Sequence, residues 1–447
     1  MDNKSKIGFV SLGCSKNQID TEIMLKILVN DGYEIVTEDI AADIIIVNTC
    51  AFIESAKQEA IDNILDIAWL KEHRSLKGII ACGCLAERYR EEILKELPEI
   101  DAVIGVFSIH DILDAVKHIE AANPEKFISL KPQDGFVLGG ERVLTTPEYM
   151  AYIKISEGCD NFCSYCAIPL IRGRYKSRDM QSIIDEAKEL AEIGVKELCV
   201  VAQDTTGYGK DLYGESRLPE LLNKLCGIES IEWIRLLYCY PDKITDELIE
   251  TIKSSDKIVK YIDMPVQHIS DDILSAMNRR GGSEAIYSAL KKLRENIPGI
   301  IIRTTVIVGF PGETKEHFAQ LCEFLKDAKF DRLGAFSYSR EESTKAAGLA
   351  NHVSETQKTH RHKTIMQLQE RINYALNQKK LGKTVKVLCE EYDRVSEAYF
   401  GRSYADAPEI DGKIYFTSKS RKRIKSGEFV DVTIKEIIDY DLLGECP

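Results

Sequence analysis

The chain has 447 residues, 44% of them hydrophobic, so it is too long for one ordinary domain and too apolar for a disordered protein. Its 59 basic and 72 acidic residues give a net charge of −13, which excludes broad attraction to nucleic acid and suits a basic protein partner better. Thirteen cysteines and the lack of an apolar run near ~20 residues argue against a disulfide scaffold and a membrane span, and predict a cytoplasmic protein with reduced thiols.

The N-terminal part alternates short apolar runs with segments of helical periodicity. Buried strands are predicted at residues 7–11, 44–48, 78–81 and 102–105. Helices are predicted near residues 19–30, 54–72, 87–97 and 109–119. This βα alternation predicts an α/β domain with a doubly wound parallel sheet at residues 1–125. Prolines at 124, 132 and 147 and the pair Gly139-Gly140 predict a linker at 126–148.

A second βα series follows. Its six predicted strands lie at residues 150–156, 197–202, 233–238, 260–265, 301–308 and 333–337. Six such units predict a partial (β/α)6 barrel at 149–380, in which the loops at the carboxyl ends of the strands carry the chemistry. A polar segment with helical periodicity, residues 354–380, is predicted to leave the barrel as a helix.

The last part of the chain, residues 381–447, changes to short strands separated by turns. Strands are predicted at 384–389, 398–402, 413–417 and 429–437. They predict a small antiparallel, OB-like β-barrel, a fold that commonly binds partners.

Three cysteines follow the first predicted barrel strand closely: Cys159, Cys163 and Cys166. Three thiolates at this spacing suit an iron–sulfur cluster with one open iron, and an open iron indicates an enzyme. A zinc site is the first alternative, but it needs a fourth ligand, and no histidine lies within 40 residues of Cys163. Unrelated buried cysteines are the second alternative.

Cys14, Cys50 and Cys84 each follow a predicted strand of the N-terminal sheet. Because the carboxyl ends of parallel strands open on one edge, we expect these thiols to converge and to hold a second cluster. Taken singly, each could be a small core residue. Cys82 lies inside a strand and is interpreted as packing. No function is assigned to the scattered cysteines at 199, 226, 239, 322, 389 and 446.

The spacing of the Cys159 group resembles that of the radical S-adenosylmethionine (AdoMet) superfamily, and the three-part chain resembles the methylthiotransferase family along essentially its whole length. The resemblance implies two [4Fe–4S] clusters, a TRAM domain at the C-terminus, and AdoMet used both as methyl donor and as radical source. It implies that AdoMet binds the cluster of Cys159, Cys163 and Cys166. The cluster of Cys14, Cys50 and Cys84 would carry the sulfur.

Three further features are candidates for the AdoMet pocket of that superfamily. Tyr165 stands at the aromatic position used against adenine, and ordinary packing beside the cluster is the alternative. Gln203, at the end of a predicted strand, and the run 308–313 could line the same pocket or could be strand ends with their turns.

The substrate divides the family into a transfer-RNA adenosine branch and a branch that modifies the β-carbon of an aspartate in the twelfth protein of the small ribosomal subunit. The stretches 11–17, 159–173 and 401–412 resemble the ribosomal-protein branch, and the acidic 401–412 run suits a basic protein substrate. The transfer-RNA branch remains the alternative. A non-catalytic zinc or electron-transfer module with an RNA-binding tail is the rival from another class.

The basic stretches leave their partners open. Lys419–Lys425 could contact RNA or form a solvated turn. Arg172, Arg174, Lys176 and Arg178 could steer a substrate carboxylate or serve only the neighbouring fold. The radical chemistry implies a reductant, for which a flavodoxin or a ferredoxin is expected.

Overall fold

A computed structural model describes residues 4–419 and 423–446, and its N-terminal part is a six-stranded parallel sheet. The strands are β1 (Lys6–Ser11), β2 (Glu34–Val36), β3 (Ile44–Thr49), β4 (Gly78–Gly83), β5 (Ala102–Ile104) and β6 (Phe127–Ser129), in the order β2-β1-β3-β4-β5-β6. The helices are α1 (Ser15–Asn30), α2 (Glu54–His73), α3 (Cys84–Tyr89), α4 (Ile93–Glu96) and α5 (Ile112–Glu120). Every position of β3 and β4 is buried, as expected for central strands covered on both faces. The predicted parallel αβ sheet is confirmed.

Three details of this sheet differ from the sequence-based expectation. The edge strand β2, which was not predicted, pairs parallel with β1. The strand β6 lies in the segment predicted as a linker, where its three residues pair with Ala102–Ile104 of β5. The helix predicted at 87–97 is broken, because Arg90 adopts a left-handed conformation with φ of 52° and ends α3. A 3₁₀ turn at Arg90–Glu92 then leads into the short helix α4.

The central part is an open barrel of six parallel strands. These are β7 (Met150–Lys154), β10 (Glu197–Val201), β11 (Trp233–Leu236), β12 (Ile258–Asp263), β13 (Ile301–Val308) and β14 (Arg332–Ser337), while β8 (Ser156–Glu157) and β9 (Lys176–Ser177) form a separate antiparallel pair. The order β14-β13-β12-β11-β10-β7 leaves β7 and β14 as the two edges. The predicted partial barrel is confirmed.

Nine helices in the described residues accompany the barrel strands. They are α6 (Ile168–Ile171), α7 (Met180–Glu192), α8 (Lys210–Tyr213), α9 (Leu218–Cys226), α10 (Asp246–Ser254), α11 (Asp271–Ala276), α12 (Gly282–Asn296), α13 (Lys315–Ala328) and α14 (Glu355–Gln378). The last is the predicted exit helix, and its N-cap Ser354 accepts a hydrogen bond from the Gln357 N–H. Within residues 4–419 and 423–446, none of the helices has the length and apolar character needed to cross a membrane.

The two faces of β7 show how the barrel meets the N-terminal part. Successive strand residues point to opposite faces, so Ala151 and Ile153 pack in the core beneath the outer helices. Tyr152 points to the inner face and belongs to the core that continues into the N-terminal sheet. Part of the inner face of the open barrel therefore packs against the N-terminal part.

The C-terminal part is a closed five-stranded barrel with the order β15-β16-β17-β19-β18. Its strands are β15 (Thr384–Asp393), β16 (Ala398–Ser403), β17 (Ile414–Ser418), β18 (Phe429–Ile438) and β19 (Asp441–Cys446). The last strand was not predicted, and it pairs parallel with β17, whereas the other pairings are antiparallel.

The end of β16 and the segment between β16 and β17 contact strands β10, β12 and β14 of the open barrel. Arg402 donates from Nη2 to Glu197 Oε2 at 2.7 Å, and the Tyr261 hydroxyl donates to Asp411 Oδ2 at 2.7 Å. Arg332 also pairs with Asp406. The acidic side chains of the 401–412 run thus serve an internal contact, which differs from the expectation that this run offers a docking surface to a basic protein.

Candidate functional site

The loop of Cys159, Cys163 and Cys166 begins directly after β8, beyond the carboxyl end of β7. Gly158 precedes it with φ of 72°, and a Cβ there would lie 2.1 Å from the Arg174 carbonyl oxygen, so only glycine fits. Ser164 anchors the far side of the loop, because its N–H donates to Met277 O at 2.9 Å and its hydroxyl to Ala276 O at 2.7 Å. The barrel therefore holds this loop at the end where such folds place their chemistry.

Hydrogen-bond donors surround the sulfur atoms of this loop. Asn161 Nδ2 lies 3.4 Å from Cys159 Sγ, the Tyr240 hydroxyl 3.5 Å from Cys163 Sγ, and Arg279 Nη1 4.0 Å from the same sulfur. Burial nevertheless raises the pKa of the Cys159 thiol to about 11 in the metal-free chain. A metal ligand must lose its proton, so these donors and the charge of a bound metal would act together to hold thiolates here.

Of the two residues predicted to contact AdoMet, Tyr165 lies within this loop and Gln203 lies beside it. Gln203 follows β10, and its Nε2 donates to Glu157 Oε1 at 2.7 Å. Its Oε1 is buried and has no hydrogen-bond partner among the described residues, so a donor from a bound molecule would satisfy it. Tyr165 packs in part against the small core of Phe310 and Met277. Contact of either residue with AdoMet stays a prediction.

The run 308–313, the third part of the expected pocket, is held by internal contacts. Glu313 Oε2 accepts from the N–H groups of Gly309 at 2.6 Å and Phe310 at 3.2 Å, and Arg361 of α14 pairs with the same carboxylate at 2.7 Å. The side chain of Lys358 lies over Gly309. These contacts stabilise the turn after β13.

Asn17 ties together the segments that carry Cys14, Cys50 and Cys84. Its Nδ2 donates to Leu12 O at 3.1 Å and to Thr49 O at 2.8 Å, so it joins the segment before Cys14 to the one before Cys50. Its Oδ1 accepts from Cys84 Sγ at 3.4 Å. One amide in the first turn of α1 therefore brings three strand ends together. The sequence analysis quoted Asn17 beside Cys14 without giving it a role.

The three thiols of this group lie close enough to influence one another. A Cβ on Gly13, next to Cys14, would lie 3.2 Å from Cys50 Sγ. Burial raises the pKa of the Cys84 thiol to about 12, and the other two thiols add to the rise. The Cys14 thiol is also affected by burial, but the charges of Lys16 and Arg172 outweigh it and lower its pKa. The predicted convergence of these cysteines is consistent with this arrangement.

A buried charge network connects the two cysteine groups. Arg172 follows the Cys159–Cys166 loop, and it donates from Nη2 to Asp20 Oδ2 at 3.0 Å and from Nη1 to Glu157 Oε2 at 2.9 Å. Lys154 bridges the same two carboxylates at 2.6 and 2.8 Å. Arg172 also donates to Asn17. Two cations and two carboxylates thus link the start of α1 to the strand ends of the barrel.

Electrostatics within this network favour the ionised forms. Burial by itself would raise the pKa of Glu157, but Arg172 and Lys154 outweigh it and hold that pKa at about 2. Arg172 is 1% exposed, so this basic residue serves the fold rather than the surface. The sequence carries one signal for this network, since Lys154 and Glu157 are two charged residues inside an otherwise apolar strand segment. The sequence analysis gave neither residue a role.

The neighbouring basic residues are also engaged. Arg174 pairs with Asp160 at 2.7 Å, Arg178 is buried and pairs with Glu186, and Lys176 Nζ donates to Phe136 O at 2.8 Å. Arg174 is exposed, whereas Arg172 and Arg178 are buried.

The basic run Lys419–Lys425 is only partly described. Ser420, Arg421 and Lys422 lie outside the described residues. Lys419 pairs with Glu445 at 3.3 Å, and Arg423 lines a surface depression together with Tyr392 and Tyr399. Cationic and aromatic side chains in one depression suit a single-stranded nucleic acid.

The donors of both cysteine groups are thiols, the ligand type of iron–sulfur clusters. All thirteen cysteines are free. Within residues 4–419 and 423–446, no three His, Cys, Asp or Glu side chains are grouped to hold one metal ion. The ligands of a cubane each bind a different iron, so they need not meet at one point.

Three family models match successive parts of the chain. The uncharacterized protein family UPF0004 matches residues 6–105, the Radical SAM superfamily residues 153–325, and the TRAM domain residues 381–446.

Curated relatives match nearly the whole chain. "Ribosomal protein uS12 methylthiotransferase RimO" of Clostridioides difficile (strain 630) is 51% identical over 442 residues, which cover 98% of both chains. The protein of the same name from Thermoanaerobacter sp. (strain X514) is 49% identical over 442 residues and covers 98% of this chain and 99% of its own. A solved structure of the radical S-adenosylmethionine methyltransferase TsrM from Kitasatospora setae shares the fold, with a TM-score of 0.57, 15% identity and 77% of each chain covered.

Proposed function

This chain belongs to the family of ribosomal protein uS12 methylthiotransferases RimO, and on that premise we propose that it transfers a methylthio group to ribosomal protein uS12. The observation that carries the proposal is identity near one half over 98% of the chain, which includes both cysteine groups. We further propose that the acceptor is the β-carbon of an aspartate of uS12, as the resemblance of the motifs implies.

The cofactor assignment has two parts. The Radical SAM match over residues 153–325 implies one [4Fe–4S] cluster and AdoMet in the barrel. We propose that Cys159, Cys163 and Cys166 hold this cluster, and that Cys14, Cys50 and Cys84 hold a second [4Fe–4S] cluster. The common anchoring of the three N-terminal thiols by Asn17 supports the second assignment.

When bound, these groups supply the radical, the sulfur and the methyl group. The protein's own residues position them. Asn161, Tyr240 and Arg279 direct donors toward the sulfurs of the barrel loop, and such donors stabilise the thiolate form. The Arg172 network holds the two cysteine groups in a defined relation, and the 401–412 segment contacts the barrel strands.

The partners follow from the same proposal. We propose that the substrate is a ribosomal protein and that the reaction takes place in the cytoplasm. The TRAM match supports an RNA contact on the C-terminal barrel. We propose that the depression at Arg423, Tyr392 and Tyr399 makes this contact. The electron is proposed to come from a flavodoxin or a ferredoxin.

A deletion strain tests the proposed function directly. Mass spectrometry of uS12 from that strain should show loss of the methylthio group, and the wild-type gene should restore it. Nucleosides of transfer RNA analysed in parallel should not change. Loss of a methylthio group from transfer RNA with uS12 unaffected would assign the chain to the transfer-RNA branch instead.

A further inference from the structure

A surface cavity of about 550 Å³ lies beside the barrel cysteine loop. Asp160, Asn161 and Phe162 of this loop line it, and its other lining residues all belong to the barrel. No residue of the N-terminal part or of the C-terminal barrel contributes to it. The cavity is therefore separate from the junction at which the Arg172 network joins the two cysteine groups.

One layer of side chains separates this cavity from the sulfur atoms of the loop. Asn161 lines the cavity, and its Nδ2 lies 3.4 Å from Cys159 Sγ. Cys159 and Cys163 are only 6% and 7% exposed, so no sulfur of these two residues lies openly at the surface. Because electron transfer slows steeply with distance, the cavity offers a short route from the surface to a cluster held by this loop.

An exposed aromatic side chain is fixed at the rim of the cavity. Phe162 precedes Cys163, is 37% exposed and has a φ of 48°, a left-handed conformation that is rare for an aromatic residue. Asn278 Nδ2 donates to the Phe162 carbonyl oxygen at 2.9 Å, and the Arg174 guanidinium lies 5.3 Å from the ring centroid. Strain of this kind is characteristic of binding positions, and aromatic and arginine side chains are enriched where proteins bind proteins.

The charges that line the cavity are partly paired with one another. Four cationic and three carboxylate side chains are among the lining residues. Arg174 pairs with Asp160 at 2.7 Å, and Lys243 pairs with Asp204. The third carboxylate, that of Asp211, accepts hydrogen bonds from the N–H and the hydroxyl of a serine.

Lys210 and Arg280 supply the excess of positive charge in this cavity. Both are exposed, and within residues 4–419 and 423–446 neither forms an ion pair. The whole chain has a net charge of −13, so this local excess of cations lies on a protein that is otherwise acidic. Unpaired cations around an exposed aromatic residue are complementary to an acidic protein partner.

We propose that this cavity is the docking site of an acidic flavodoxin, the carrier that delivers the electron to the cluster of Cys159, Cys163 and Cys166. The inference rests on the proposed function, since it takes that cluster to start the radical reaction. One electron leaves the anionic reduced flavin, which becomes neutral, and the same electron reduces the cluster. No proton has to move in this step.

The shape of the cavity favours a flavin carrier over a ferredoxin. A flavodoxin exposes the planar aromatic edge of its flavin at an acidic surface, whereas a ferredoxin covers its cluster with a loop of backbone. Phe162 and Tyr175 provide aromatic surface in the concave site, and aromatic edges pack well against such rings. Lys210 and Arg280 would face the acidic surface around the flavin.

The test is titration calorimetry of purified flavodoxin with the anaerobically reconstituted full-length enzyme at low ionic strength. Lys210→Glu and Arg280→Glu should each weaken binding about 10-fold, as expected when a complementary charge is reversed. Lys95→Glu is the matched control, because Lys95 is an exposed lysine of α4 in the N-terminal part and the change in net charge is the same. It should bind flavodoxin like the wild type.

A comparison of two electron sources separates docking from the radical chemistry. With reduced flavodoxin at limiting concentration, Lys210→Glu and Arg280→Glu should form 5′-deoxyadenosine about 10-fold more slowly than the wild type. Dithionite is a small reductant that needs no protein docking site, so with dithionite the rates and the iron content should equal those of the wild type. A purely structural role of the two cations would instead lower the rate with both reductants.

Distinct outcomes separate failure of this inference from failure of the proposed function. Unchanged flavodoxin affinity in both charge-reversal variants, or an equal loss in Lys95→Glu, would overturn the docking site. A wild-type enzyme that binds ferredoxin but not flavodoxin would overturn the choice of carrier. If Lys210→Glu does not fold, Lys210→Gln decides, since unchanged affinity in that variant would also overturn the site. A wild-type enzyme that forms no 5′-deoxyadenosine even with dithionite would refute the radical chemistry of the proposed function itself.

Discussion

Arg172 Nη2 lies 3.0 Å from Asp20 Oδ2, so a side chain that follows the barrel cysteine loop is bound to the helix that begins after Cys14. Both residues are buried, and Lys154 and Glu157 complete the network. A buried network is strong only when every member is satisfied. The relation between the two cysteine groups therefore depends on a few charged side chains in addition to apolar packing.

Replacing Arg172 by methionine should destabilise the metal-free protein by about 3–5 kcal/mol, because Lys154 alone would then face the carboxylates of Asp20 and Glu157. The shift of the urea unfolding midpoint measures this effect. Arg174→Met is the matched control, since Arg174 is 72% exposed and solvent screens its pair with Asp160, so that its loss should shift the midpoint little. Equal midpoints for the two variants would contradict the structural role of Arg172.

Alanine substitutions in the two cysteine groups should have different effects on the reaction. Alanine at Cys159, Cys163 or Cys166 should abolish formation of 5′-deoxyadenosine, because no site for AdoMet would remain. Alanine at Cys14, Cys50 or Cys84 should preserve that cleavage, halve the iron content and stop methylthio transfer to uS12. Chromatographic assay of 5′-deoxyadenosine, iron analysis and mass spectrometry of uS12 measure the three effects.

Other buried cysteines are the controls for that series. Cys82 lies inside β4 and Cys199 inside β10, and both are fully buried. Their alanine variants should retain full iron content and both reactions, with a moderate loss of stability from the missing sulfur. Methylthio transfer by a Cys50→Ala enzyme at the wild-type rate would refute the second cluster.

Gln203→Leu should raise the dissociation constant of AdoMet about 10-fold, the factor expected for one lost hydrogen bond. The reason is that the buried Gln203 Oε1 has no partner among the described residues and lies at a strand end beside the cysteine loop. Anaerobic titration calorimetry of the reconstituted enzyme measures the constant. Gln369→Leu is the control, because this buried glutamine donates to Phe330 O at 2.9 Å and lies on α14. An unchanged affinity in Gln203→Leu would remove that residue from the AdoMet site.

His268 should make the stability of the protein fall in mild acid. It is fully buried, its Nδ1 accepts from the Ser270 N–H at 3.0 Å, and burial lowers its pKa from 6.5 to about 3. In the unfolded chain His268 therefore binds a proton below pH 6.5, whereas in the folded chain it binds one only near pH 3. Stability from this group is full above pH 6.5 and declines below it, by about 1 kcal/mol between pH 6 and pH 5.

Urea unfolding at a series of pH values measures the His268 effect. His268→Asn keeps an acceptor near Nδ1 and should remove this part of the pH dependence. His360→Asn, at an exposed position of α14, should leave the dependence unchanged. A His268→Asn protein with the wild-type slope would show that other groups cause the acid sensitivity.

Much of the architecture was predictable because it depends on local patterns. The apolar runs of β3 and β4 indicate full burial, and the alternation of strands and helices indicates parallel strands. Both parallel sheets were therefore predicted. The left-handed Arg90 and the short strands β2, β6 and β19 were missed, because each depends on a contact with a distant segment rather than on periodicity. The 401–412 run shows the same limit, since its acidic composition does not reveal that Arg402 meets Glu197.

The sequence by itself determined which thiols are candidates for metal binding, since three cysteines within eight positions and three at successive strand ends are visible in the order of residues. Only the tertiary structure decided how they are supported. Asn17 joins strand ends that are distant in the chain, Arg172 meets Asp20 across 152 positions, and Lys16 reaches Tyr238 of the barrel. The physical reason is that spacing and periodicity report a residue's neighbours along the chain. The partners of a buried charge are chosen when separate parts of the chain pack together and exclude water.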